Sequence, residues 1–137
     1  MKKIFSKTSG QLLHIVHRVS DFNLDSREDL VDADNFLQQS TIPLNSGTTF
    51  KAHKHLFKEV DFKKYMAQES WVVIKGKVRC HFYDLDDSLI EEIDLNAGDC
   101  SITLTGGHTY TGLEDNSLVR EFKTGPYRGQ KLDKQFI

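Results

Sequence analysis

The chain has 137 residues, two cysteines and a formal charge of −2 at pH 7, with 18 basic against 20 acidic side chains. That is length for one domain with a buried core and no disulfide framework, and the charge balance excludes the basic field that drives nucleic-acid binding. No apolar run is long enough to span a bilayer. The basic start Met1-Lys2-Lys3 runs into Ser6, Lys7 and Thr8, not the apolar stretch of a signal peptide, so the expectation is a soluble, cytoplasmic protein with no membrane or nucleic-acid partner.

Short segments rich in Val, Ile, Phe, Tyr and Thr, separated by nine glycines and two prolines, predict an all-β domain. Residues 11–19 predict a first strand, and residues 21–35, acidic and poor in β-formers, a surface loop or short helix. Residues 36–42 read as the next strand, stopped by Pro43 and the turn-prone Asn45-Ser46-Gly47. A strand is expected over 48–55, then a charged and aromatic excursion over 56–66 at the mouth of a barrel, where long loops are often functional. Residues 69–75 predict a strand closed by Gly76-Lys77, residues 78–83 and 89–95 a hairpin, and 96–99 a turn. The strand 100–104 ends at Gly106-Gly107, and 117–123 is the last strand. Beyond it, 124–129 is irregular and Phe136-Ile137 tucks against the body or a partner subunit. Cys80 and Cys100 lack CxxC spacing, in keeping with buried thiols in a reducing compartment. Short strands at regular spacing argue for a sandwich or barrel.

His53 and His55 stand at i and i+2 in an expected extended segment, which puts both side chains on one face. With Glu69 as a carboxylate and His108 as a further imidazole they make a mixed nitrogen and oxygen set suited to a divalent first-row metal. The plain alternative is a pair of strand histidines at a solvated rim. Trp71 and Val73 share the parity of Glu69 and are expected inside, while Gln68 points to the opposite face. Glu121 and Lys123 share one face of the last strand; turned inward they serve as acid, base or carboxylate clamp, and turned outward they are solvated. Tyr110, like Tyr65 and Tyr127, is a proton donor if it lies at the mouth and a packing residue otherwise. His14, His17 and His81 lack metal-like context and read as structural or surface residues.

Two stretches carry a family resemblance. His53-Lys54-His55, with Glu69 separated from Gly76 by residues 70–75, resembles the first motif of the cupin superfamily, and Gly98-Asp99 leading to Gly106-Gly107-His108 resembles the second. The motif regions are 47–76 and 98–116. Phe36-Leu37-Gln38, Lys123-Thr124-Gly125-Pro126-Tyr127 and Asp133-Lys134 are similar to phrases of small single-domain cupins found among bacterial polysaccharide and sugar-nucleotide genes. The resemblance implies one domain over 1–137 with a double-stranded β-helix, or jelly-roll barrel. It also implies a metal site of His53, His55, Glu69 and His108 and a homodimer. The loop between His55 and Glu69 is longer than the family's usual gap, which leaves Gln68 and Glu59 as alternative ligands.

The expected function is a metal-binding cupin, holding Zn, Fe, Mn, Ni or Co, that acts on a small oxygen-rich metabolite such as a sugar or sugar nucleotide. The chemistry would be Lewis-acid assisted isomerisation, proton transfer or oxygenation, with Glu121, Lys123 or Tyr110 as acid or base. Two alternatives stay open: a non-catalytic module that binds a metabolite, and a metal-free epimerase-like barrel in which a His is paired to a carboxylate instead of a metal.

Overall fold

The computed structural model describes residues 1–56 and 65–137. Two antiparallel sheets face each other. The larger has the order β1 (Lys2–Phe5), β2 (Leu12–His17), β8 (Cys100–Thr103), β5 (Glu69–Lys75), β10 (Leu118–Lys123). The smaller has the order β7 (Leu89–Asn96), β6 (Lys77–Tyr83), β9 (Gly107–Gly112). A two-stranded ribbon, β3 (Glu28–Asp29) with β4 (Ser40–Thr41), forms a third sheet. The expectation of an all-β chain holds, and among the described residues the sheets stay separate and do not close into a barrel.

Strand alternation explains the layers. In β6, Val78, Cys80 and Phe82 are buried while Arg79 and His81 turn outward to pair with Asp94 and Glu92 on β7. The inward set meets Ile4, Val16 and Val73 of the larger sheet and Ile93 and Leu95 of β7, forming the core between the sheets. Burying a side chain such as Phe82 is worth roughly 1.5–3 kcal/mol. A second core lies on the other face of the larger sheet, where Leu30 and Val31 close over Ile15, Cys100 and Ile102. Covered on both sides, β8 is buried at every residue. Both thiols are free and buried, and burial pushes Cys80 up to about 12 and Cys100 up to about 11.

The chain crosses between sheets at Gly76, where φ is +76° and a Cβ would come within 2.4 Å of Ser117 Oγ. Ser117 accepts the Lys77 N–H and so ties this crossing to the turn that joins β9 to β10. Glu69 and Lys123 pair at the opposite end of these strands, which leaves that end open for a site.

Several expected elements differ. Residues 48–55 form no strand; the segment is exposed throughout and among the described residues has no ladder partner, which an extended chain needs to count as sheet. The strand expected over 36–42 shrinks to β4, because the Leu37 N–H bonds the Gln68 side chain and Gln38 caps the carbonyls of Asp32, Ala33 and Asn35. Strands β1, β3 and β9 were not expected, β3 lying within residues 21–35, which read as a surface loop or short helix. The excursion over 56–66 falls mostly on residues 57–64, outside the described residues. Among the described residues no helix is long and apolar enough to cross a membrane.

Candidate functional site

Glu69 opens β5 and His108 stands second in β9, on strands of different sheets. Their parity turns both inward: Glu69 shares the face of Val73, and His108 lies opposite Phe82 in the β6–β9 ladder. They meet there, His108 Nε2 donating to Glu69 Oε1 at 3.1 Å, with the Glu69 side chain 6% and that of His108 20% exposed. The Trp71 indole N–H donates to the same oxygen at 2.7 Å. Burial alone would raise the Glu69 carboxyl, but the hydrogen bond and charge of His108, joined by the Trp71 donor and the charge of Lys134, hold it below the ordinary glutamate range. His108 Nδ1 is buried and, among the described residues, has no hydrogen-bond partner.

The aromatic wall beside this pair is Trp71 stacked on Tyr110. Tyr110 shares a hydrogen bond of 3.0 Å with Ser101, and burial pushes its phenol well above the usual tyrosine range. On the other side Lys123 pairs with Asp133 at 3.0 Å. Burial works against that ammonium, but Asp133, with Glu121 and Glu69 behind it, more than offsets this and holds Lys123 above its ordinary range. The pair, the lysine, Thr103 and the segment from Asp133 to Ile137 line one cleft of about 550 Å³.

The expected site residues separate into two groups. Glu69 and His108 are brought together, with Lys123 and Tyr110 close by. Glu121 lies on the inward-facing parity of β10, paired with Trp71 in the ladder, yet it is exposed. His53 and His55 lie in the exposed segment apart from them, their rings 5.3 Å apart edge to face and His53 Nδ1 donating to Lys51 O. Gln68 does face away from Glu69, as parity requires: its side chain accepts the Leu37 N–H and donates to Asn35. Glu59 is outside the described residues. Tyr65 donates to Gly125 O, and Tyr127 lies under the Lys123 ammonium. His14 is fully buried between Thr103 and Tyr83 O, and His81 pairs with Glu92 on the outer face, so both play the structural parts expected of them. Sequence reasoning missed Lys134 as a lining residue, since no periodicity marks a short irregular segment that folds back; of the terminal pair expected against the body or a partner, Ile137 lies over Gly107 and lines the cleft.

The donor types of His53, His55, Glu69 and His108 fit a divalent first-row metal, and an imidazole nitrogen left without a partner at the pair agrees with that chemistry. Their placement gathers two of the four: among the described residues no group of three His, Cys, Asp or Glu side chains converges. A scan of protein-family models found no match to this chain, and searches of curated proteins and of solved structures found no significant match either.

Proposed function

We propose that this is a single-domain protein of the cupin type whose cleft binds a small oxygen-rich metabolite, a sugar or sugar nucleotide, and moves a proton on it. The contact between Glu69 and His108 at 3.1 Å carries the reading. A carboxylate bound to one imidazole nitrogen fixes the tautomer and supports the charged ring, so the pair can pass a proton to or from a ligand that reaches Nδ1, unpartnered among the described residues. The Trp71–Tyr110 stack backs the pair, with Trp71 bonded to Glu69, and Lys123, which lines the cleft, supplies a cation for a charged oxygen of the ligand.

In the metal-dependent form of this reading, His53 and His55 join Glu69 and His108 as ligands to Zn, Fe, Mn, Ni or Co. Bound there, such an ion would polarise a ligand oxygen as a Lewis acid. The pairing of His108 with a carboxylate favours the metal-free form, in which His108 and Glu69 act without it. Elemental analysis of untagged wild type, Glu69→Ala and His53→Ala decides between them: stoichiometric metal lost in both variants supports the four-ligand centre. Metal-free protein that exchanges a sugar C–H for deuterium, an activity absent from His108→Ala, supports the pair alone. Binding of sugars and sugar nucleotides without any exchange or product would instead make the chain a non-catalytic binding module. The homodimer implied by the cupin resemblance belongs to the same proposal and is tested by sedimentation.

A further inference from the structure

Lys123 ends β10 directly across the ladder from Glu69. Its ammonium lies 3.0 Å from Asp133 and 4.3 Å from the centre of the Tyr127 ring, and the side chains of Lys123 and Asp133 are each only 13% exposed. A nearly dry ion pair facing a cleft is costly unless both charges are satisfied, and here the segment after β10 provides the anion. That segment is held weakly. Its one-turn helix α1 (Gln130–Asp133) has no side-chain cap and no buried residue, and Leu132 is 80% exposed. A single turn does not persist alone, so its contacts with the body keep it in place. One is the Asp133–Lys123 pair. Another is Ile137, whose Cδ1 lies over Gly107, where a Cβ would approach it to 2.8 Å. Gly129, at φ +97°, turns the chain into the helix with a backbone that side chains disfavour. Lys134 lines the same cleft.

We infer that Lys123 and Lys134 form the anion-binding end of the cleft, that Asp133 fills it in this structure, and that a phosphate or carboxylate of the ligand displaces Asp133 and loosens residues 130–137. The carboxylate of Asp133 stands where the ligand's anion would go. Once it is displaced, the Lys123 ammonium is released from its ion pair and, with Lys134, is open to an anion of the ligand; the other carboxylates of the cleft are Glu69, paired with His108, and Asp84 and Asp87. Asp84, which also lines the cleft, does not compete for the lysines, because its oxygens already take the N–H groups of Lys7 and Leu85. The inference rests on reading the cleft as a metabolite site and adds the charge the metabolite must carry.

Calorimetric titration with inorganic pyrophosphate, glucose 1-phosphate, glucuronate and glucose tests it, with the fluorescence of Trp71, the single tryptophan, as a second readout. Pyrophosphate and at least one charged sugar should bind the wild type and glucose should not. Lys123→Gln should weaken binding roughly tenfold or more, and Lys123→Arg should restore most of it. Asp133→Asn, which removes the charge of the internal competitor and leaves the core between the sheets untouched, should tighten binding roughly fivefold. The opposite signs of the two variants are the signature of displacement. A response to glucose 1-phosphate alone assigns the anion as phosphate, and to glucuronate alone as carboxylate. The inference is overturned if pyrophosphate does not bind, if glucose binds as well as the charged sugars, or if Asp133→Asn weakens binding. Pyrophosphate behaving as stated while no sugar binds would overturn the metabolite reading and leave the anion site standing.

Discussion

Trp71 and Tyr110 lie face to face, their ring centroids 3.8 Å apart and their planes 5° from parallel. One ring comes from β5 of the five-stranded sheet and the other from β9 of the three-stranded sheet, so the stack joins the layers beside the Glu69–His108 pair. Tyr110→Phe keeps the stack and loses only the hydrogen bond to Ser101, and should cost about 1 kcal/mol. Tyr110→Ala removes the stack and leaves a cavity, and should cost about 3–5 kcal/mol. Urea unfolding followed by Trp71 fluorescence measures both. Equal losses in the two variants would mean that the hydroxyl, not the ring, holds the sheets.

The Glu69 carboxyl is pulled two ways, up by burial and down by His108 and Trp71. His108→Leu removes the larger of the downward influences and leaves the burial, so Glu69 should titrate higher than in the wild type. Trp71→Phe should move it in the same direction by less. Carbon-13 NMR of the labelled carboxyl reads this directly, and a Glu69 titration unmoved by His108→Leu would show that the contact at 3.1 Å does not govern its charge.

Parity made the Glu69 half of the site legible. The strand Glu69–Lys75 runs where its β-branched residues and closing glycine put it, and that alone placed Glu69, Trp71 and Val73 inside and Gln68 outside. Sequence failed at 48–55 because a pattern that permits a strand does not supply a partner for its ladder, and among the described residues none pairs with it. The strand Gly107–Gly112 was hidden by its glycines, which read as a break while His108 and Tyr110 were already facing Phe82 and Cys80 across a ladder. The lining contributed by Asp133 and Lys134 depends on a chain reversal that no local pattern encodes, whereas the apolar end at Ile137 is one the sequence expects against the body or a partner, and it lies over Gly107.

Gly76 holds the crossing between the sheets, and two independent constraints act on it. Its φ of +76° penalises any side chain, and a Cβ would stand 2.9 Å from the Ser117 backbone as well as 2.4 Å from its hydroxyl. Because a backbone atom cannot move aside as the end of a long side chain can, Gly76→Ala should destabilise by more than about 2 kcal/mol, the upper part of the range for a strained position. Gly112→Ala is the control, since nothing lies within 4 Å of the added carbon. Thermal unfolding of the two variants should separate clearly, and similar melting temperatures would remove Gly76 from its structural role.

His14 gives the fold a pH dependence of definite sign. It is completely buried on β2, with its Nε2–H donating to Tyr83 O at 3.2 Å and Nδ1 accepting from the Thr103 hydroxyl at 3.1 Å, and its ring lies 4.7 Å from that of Phe82. Burial lowers it from the ordinary 6.5 to about 4, the Tyr83 contact opposing this without reversing it. Between those values the unfolded chain binds a proton at this residue and the folded chain does not, so stability falls as the pH drops through this window. Above 6.5 the two states agree and no penalty acts; by pH 4 the loss approaches the whole difference, about 3 kcal/mol. His14→Gln keeps one donor and one acceptor in the same place but cannot titrate. Urea midpoints measured from pH 7.5 to 4 should therefore decline more steeply for the wild type than for His14→Gln, with the curves separating below about 6.5. The buried carboxylate of Glu69 and the paired Asp94, both held below their ordinary values, contribute their losses at lower pH, so they do not mimic this separation. Parallel curves through the window would show that His14 takes up its proton without cost and that the contacts with Thr103 and Tyr83 rearrange to receive it.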